Sequence, residues 1–149
     1  MLKKIILAVG KLLLIVGILV GCQSDIQLMN FANLGCSSSP NPSELASNEW
    51  CACCVEHDIA YWRGGSSTQR EQADERLRDC VVRTTRNEVL ANSIYEGVRD
   101  GSSKYFFTDY QWAYGWSFDR SYEPLNEKEQ HIANQYLLDY FKSDQKVCL

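Results

Sequence analysis

The residues able to do chemistry crowd into positions 51–65, C-A-C-C-V-E-H-D-I-A-Y-W-R-G-G, which hold three cysteines, adjacent His57 and Asp58, and Tyr61. A neutral imidazole takes a proton from water, so His57 is a candidate general base. A carboxylate beside loop carbonyls makes a hard-oxygen site of the kind calcium occupies, and Asp58 is the candidate ligand. Cys51, Cys53, Cys54 and His57 could instead hold zinc. An exported chain oxidises its thiols, which favours disulfides over that metal. In a third reading His57 and Asp58 serve only to satisfy one another.

Such groups need a rigid element to position them. No Gly or Pro interrupts residues 51–63 and Gly64-Gly65 follows, which predicts a helix ending near Arg63. Residues three and four apart share a helix face, placing Cys54, His57, Asp58 and Tyr61 along one side. A disulfide from Cys54 to a preceding loop would pin that loop one turn from Asp58. Gly64-Gly65-Ser66-Ser67 then turns the chain, and Thr68 with Glu71 reads as a capping box, so a second helix is expected from about Gln69. Its apolar stripe is Ala73, Leu77, Cys80, Val81 and Thr84. Two helices joined by a short turn pack as an antiparallel pair. A histidine base needs its second ring nitrogen oriented, usually by a carboxylate. Asp74 lies on the inward stripe with Leu77 and Val81, whereas Asp79 falls off it, so Asp74 is the expected partner of His57.

The run C-C-x-x-H-D with Tyr three residues later resembles the active-site helix of secreted phospholipase A2, which hydrolyses the sn-2 ester of glycerophospholipids. The stretch L-G-C-S-S-S-P-N-P, residues 34–42, resembles the short calcium loop of that family's bacterial and fungal branch. The resemblance implies that His57 is the general base, that Asp58 is a calcium ligand, and that Cys36 pairs with Cys54. It also implies an Asp on the second long helix that bonds the catalytic histidine, and Q-A-D-E-R-L resembles that position at Asp74. Tyr61 is then expected to buttress the helix pair from behind the reacting groups. The branch carries an Asp just before the loop cysteine, where this chain has Asn33, Leu34 and Gly35. Calcium would draw there on the backbone carbonyls of Leu34 and Gly35, with Glu44 and Glu49 as the acidic residues close by.

The N-terminus carries Lys3, Lys4 and Lys11, then an uninterrupted apolar run over residues 12–20. That run is too short to span a bilayer and has the anatomy of a signal peptide. It ends Leu19-Val20-Gly21-Cys22, which resembles the bacterial lipobox. The implied maturation is cleavage after Gly21 and acylation of Cys22, and Gln23 in the next position implies sorting to a bacterial outer membrane. Acyl chains on Cys22 would hold the protein to a phospholipid membrane in the cell envelope. The chain is acidic, with formal net charge −4, and becomes more so when the three signal lysines leave. No basic run or patch suggests nucleic acid.

Seven cysteines less an acylated Cys22 leave Cys36, Cys51, Cys53, Cys54, Cys80 and Cys148. Six allow three disulfides in any of fifteen connectivities. If the resemblance sets Cys36 with Cys54, then Cys51 and Cys53 remain for Cys80 and Cys148. A third helix is expected over residues 87–99, burying Val89, Leu90, Ile94 and Val98 and stopped by Gly101. Residues 105–122 hold nine aromatics, which suit either a membrane interface or a small core short of bulk. Their alternation from Tyr110 to Phe118 suggests an extended segment. Asn126 with Glu129 caps a last helix carrying Ile132, Tyr136, Leu137, Tyr140 and Phe141. His131 on that helix lacks an adjacent carboxylate motif and is expected to face water.

The expectation is therefore a mainly α, disulfide-stapled small domain built on an antiparallel helix pair and similar to phospholipase A2. Residues 1–21 would be the signal peptide, 22–33 the acylated terminus and tether, and 34–149 the domain. The competing class is a noncatalytic envelope lipoprotein that uses the same scaffold to bind lipid or a protein partner.

Overall fold

A computed structural model describes residues 27–32, 50–105, 108, 110–117 and 120–144. Four helices form, α1 (Cys51–Arg63), α2 (Ser67–Thr85), α3 (Glu88–Gly101) and α4 (Glu127–Lys142), with no strand among the described residues. No helix among them is long and apolar enough to cross a membrane. Residues 1–21, expected to be a signal peptide, and Cys22, Leu34, Gly35, Cys36, Glu44, Glu49, Phe118 and Cys148 lie outside the described residues.

Helix α1 stops where Gly64 takes φ 70°, a left-handed conformation that side chains rarely adopt. A Cβ on Gly64 would also lie 2.5 Å from that of Ala113. The capping box of α2 forms two residues earlier than Thr68 and Glu71 suggest. Ser66, in extended backbone, accepts from the Gln69 amide at 3.2 Å, and the Gln69 side chain accepts from the Ser66 amide at 2.8 Å. Thr68 already lies inside the first helical turn and cannot act as the cap. At its far end α2 closes on Arg86, φ 55°, and Asn87 caps α3 through the Leu90 amide.

Helices α1 and α2 run antiparallel. Cys53 is bonded to Cys80 near one end, Tyr61 meets Arg70 near the other, and His57 meets Asp74 between them. The Cys53–Cys80 Cα separation of 5.7 Å is ordinary for a disulfide. Cys51 and Cys54 are disulfide-bonded too, which removes the thiolates that a zinc site on this segment requires. Arg70 and Asp74 of α2 both bond groups on α3, which packs along α2.

Two apolar clusters sit at opposite ends of this pair. One gathers Trp50, Cys53 and Cys54 with Leu77, Val81, Ala91 and Ile94. The other gathers Tyr61, Trp62 and Ala73 with Leu28, Phe31, Trp112, Trp116, Ala133 and Tyr140. His57 and Asp74 occupy the seam between them.

The second cluster takes in residues expected to be tether. Leu28 and Phe31 are buried, the Met29 amide donates to the Gly115 carbonyl at 2.8 Å, and the Trp62 indole donates to the Met29 carbonyl at 2.9 Å. The aromatic run is not extended either. Residues 110–117 form successive turns, closed by bonds from Gln111 to Thr108, Tyr114 to Gln111 and Trp116 to Ala113. Trp112 and Trp116 turn inward, their indoles donating to the Gly65 and Arg63 carbonyls, while Tyr105 and Tyr110 remain exposed. These indoles serve the core because the carbonyls at the end of α1 have no helical partners and need donors.

Three expected inward residues face solvent, Thr84 of α2 among them. Val89 is 82% exposed because the buried stripe of α3 runs through Ala91 and Ile94, flanked by Leu90 and Val98. Phe141 is 40% exposed because the inward stripe of α4 runs through Ala133 and Tyr140. The expected Asn126–Glu129 capping box does form, and Arg120 grips Glu129 while stacking on Trp116, tying the turn segment to α4.

Candidate active site

Helical spacing on α1 brings His57 and Tyr61 over one residue of α2. His57 Nε2 lies 2.9 Å from Asp74 Oδ1, and the Tyr61 hydroxyl donates to the same oxygen at 2.7 Å. Arg99 of α3 donates to Asp74 Oδ2 at 2.8 Å. Three donors converge on a side chain that is 0% exposed. Burial pushes the Asp74 carboxyl up, but the hydrogen bonds from His57, Tyr61 and Arg99 outweigh it and hold the group below its ordinary value. An ionised carboxylate only accepts, so Nε2 donates to it, and in the neutral ring Nδ1 is then the nitrogen with the lone pair. Among the described residues Nδ1 meets no hydrogen-bond partner.

Tyr61 is locked from both sides. Its hydroxyl accepts from Arg70 Nε at 3.1 Å while donating to Asp74, and its ring lies 4.2 Å from that of His57 and edge-on to Trp112. Burial, then the charge of Asp74, pushes the phenol up, which keeps it a donor. Arg70 is itself buried and sends Nη2 to the carbonyls of Val98 and Arg99 at 3.0 and 2.8 Å. The two arginines thus cross-link α2 and α3 in opposite directions.

His57 opens on a small pocket lined by Cys53, Glu56, Ala60, Ala73, Arg76 and Leu77. Its side chain is only 9% exposed.

Asp58 lies on the turn of α1 that meets Tyr114. Its backbone carbonyl lies 3.3 Å from the Tyr114 hydroxyl, which also reaches the carbonyl of Ala32 at 3.1 Å. Burial raises the Tyr114 phenol and the negative charge of Asp58 raises it further. The chain at Ala32, just before Asn33, Leu34 and Gly35, is therefore held beside the turn of α1 that carries Asp58. Among the described residues no three His, Cys, Asp or Glu side chains are grouped to hold a metal.

The sequence-expected residues separate clearly in space. His57, Asp74 and Tyr61 come together, and Asp79 is on the surface paired with Arg78. His131 is exposed. Sequence reasoning missed Arg70, Arg99 and Tyr114. Arg70 and Arg99 sit among many charged residues on polar-looking helices, and only the buried position of the first could have marked it out. No protein-family model matches this chain, and no curated protein or solved structure shows significant similarity to it.

Proposed function

We propose that the chain is an ester hydrolase of the phospholipase A2 type, cleaving the sn-2 ester of glycerophospholipids at a bacterial envelope membrane to which acylated Cys22 anchors it. One observation carries this reading: His57 Nε2 bonds a fully buried, ionised Asp74 at 2.9 Å and leaves Nδ1 free to accept. That is the requirement for an oriented neutral histidine base. Nδ1 takes a proton from water as the water oxygen bonds the ester carbonyl carbon. The proton then passes to the departing glycerol oxygen as the C–O bond breaks, leaving a fatty acid and a lysophospholipid. Asp74 holds the ring, and Tyr61 holds Asp74. Asp58 is a hard-oxygen donor fitting calcium, with Leu34 and Gly35 as the carbonyl partners, and calcium bound there would supply positive charge for the phosphate and the developing oxyanion. The position of Ala32 beside the Asp58 turn supports that grouping.

The test is fatty-acid release from mixed phospholipid micelles by wild-type protein and His57→Gln, each with calcium and with chelator. Release that needs both His57 and calcium is the expected result. No release in any condition, from protein that is folded and disulfide-bonded, would replace this reading with that of a noncatalytic lipoprotein binding lipid or a protein partner on the same scaffold.

A further inference from the structure

We propose that Arg99 is a positioning residue of the catalytic centre, acting through Asp74 to fix His57 as the Nε2–H tautomer with Nδ1 left to accept. The inference rests on reading His57 as the base. Its evidence lies in how Asp74 is compensated. The carboxylate has no contact with solvent, and its three hydrogen-bond partners are a phenol, an imidazole and a guanidinium, of which only the guanidinium is charged at every working pH. Arg99 is thus its one permanently charged hydrogen-bond partner among the described residues. A buried carboxylate without such a partner is neutralised by taking up a proton. A protonated Asp74 can donate to Nε2, and a ring that accepts at Nε2 carries its proton on Nδ1, where it cannot take one from water. Arg99 prevents this by keeping Asp74 an acceptor.

The geometry also explains why a residue so far along the chain can hold that place. Arg70 is buried and donates to the carbonyls of Val98 and Arg99, so the backbone that carries Arg99 is tied down by the helix that carries Asp74. The Arg99 guanidinium uses Nη1 on Oδ2, the oxygen that His57 and Tyr61 leave unoccupied. The guanidinium is 31% exposed, unlike the 0% exposed carboxylate it serves. Substitution at Arg99 therefore removes a charge at the edge of the core and spares the packing beneath it.

The readout is the ring nitrogen spectrum of the full chain, oxidised, in detergent micelles and labelled with 15N at histidine. The sequence has two histidines, and exposed His131 serves as the internal reference. At one fixed pH, wild-type His57 is expected to show one protonated nitrogen, Nε2, and one bare nitrogen, Nδ1. Arg99→Gln is expected to lose that pattern at His57 and leave His131 unmoved, while Arg99→Lys, which keeps the charge, retains most of it. In the micelle assay Arg99→Gln should lower kcat by about 10- to 100-fold with little change in KM, and Arg99→Lys should recover much of the loss. A His57 spectrum identical in wild type and folded Arg99→Gln would overturn the proposal. So would equal loss of the pattern in Arg99→Gln and Arg99→Lys. If wild type releases no fatty acid, the hydrolase reading fails while the spectrum still reports whether Arg99 sets the tautomer.

Discussion

Tyr61 and His57 share one acceptor atom, Asp74 Oδ1, at 2.7 and 2.9 Å. Two side chains one helical turn apart on α1 therefore meet a single oxygen on α2. The phenol is the tighter of the two partners and is itself braced by Arg70. The carboxylate cannot swing to follow the imidazole without breaking a buried hydrogen bond, so the direction of the His57 ring is set by the core and not by the ring.

Tyr61→Phe removes that brace while keeping the aromatic volume. A buried hydrogen bond whose partners lose their match costs about 1–3 kcal/mol, and here Asp74 Oδ1 loses a donor and Arg70 Nε an acceptor. Urea unfolding should show a lower midpoint with an unchanged slope. A midpoint equal to wild type would mean that the hydroxyl contributes nothing to holding the helix pair.

Acid should destabilise the protein through Asp74. Its folded value lies below the ordinary carboxylate value, because hydrogen bonds from His57, Tyr61 and Arg99 overcome the opposing effect of burial. The stabilisation is fully present above the unfolded value, about 3.9, and disappears as pH falls through the folded one. Asp74→Asn should be less stable by about 3 kcal/mol at neutral pH, as expected for a broken buried pair. The gap between the two proteins should narrow as pH drops below about 4. Glu129 is likewise held low, chiefly by its hydrogen bond from Arg120, so it contributes to both curves and cancels in the difference. Chemical denaturation from pH 7 to pH 2.5 measures this directly, and a constant gap would contradict it.

Gly115→Ala should be disruptive far from the dyad. A Cβ there would meet Trp62 Cδ1 and Nε1 at 2.5 Å and the Trp62 carbonyl at 2.6 Å. Trp62 is fully buried and donates to Met29, so it has no room to retreat. Overpacking of this kind costs about 1–3 kcal/mol. The thermal midpoint should fall, with the Trp fluorescence of the folded state changed as the indole is displaced.

Calcium should raise the thermal midpoint of the wild-type protein, and Asp58→Asn should abolish the rise. Ligand at one hundred times its dissociation constant stabilises a fold by about 2.7 kcal/mol. A wild-type midpoint indifferent to calcium over the millimolar range would remove Asp58 from the ligand role.

What could be read before folding was local. Residues 51–63 announce a helix because they lack breakers and end in Gly-Gly, and Asp74 can be chosen over Asp79 because it keeps step with Leu77 and Val81. Both inferences need only helical periodicity. Arg99 could not be assigned a place this way, since its partner lies 25 residues away and the α2–α3 crossing decides which charged residue of α3 arrives there. The aromatic run misled for a related reason. Alternating large rings look like a strand, yet Trp112 and Trp116 are directed by the carbonyls of Gly65 and Arg63, which have no signature in the run itself. The α2 cap was displaced by two residues because Ser66 and Thr68 both stand three residues ahead of a Gln or Glu, and the Gly-Gly turn decides between them.

The Cys53–Cys80 bond encloses both His57 and Asp74 in one covalent ring with a sequence separation of 27. In the oxidised unfolded chain the two residues can never drift far apart, and their mutual effective concentration stays high. In the chain-entropy model a ring of this size stabilises the fold by about 3–4 kcal/mol. The pairing of His57 and Asp74 is also of short range along the chain, so it can form early, before residues 27–32 and α4 close the second cluster over α1. The ring holds His57, Tyr61 and Asp74, and α3 completes the group by delivering Arg99 to Asp74. A reducing environment would act on the dyad first by lengthening the search that brings its two members together.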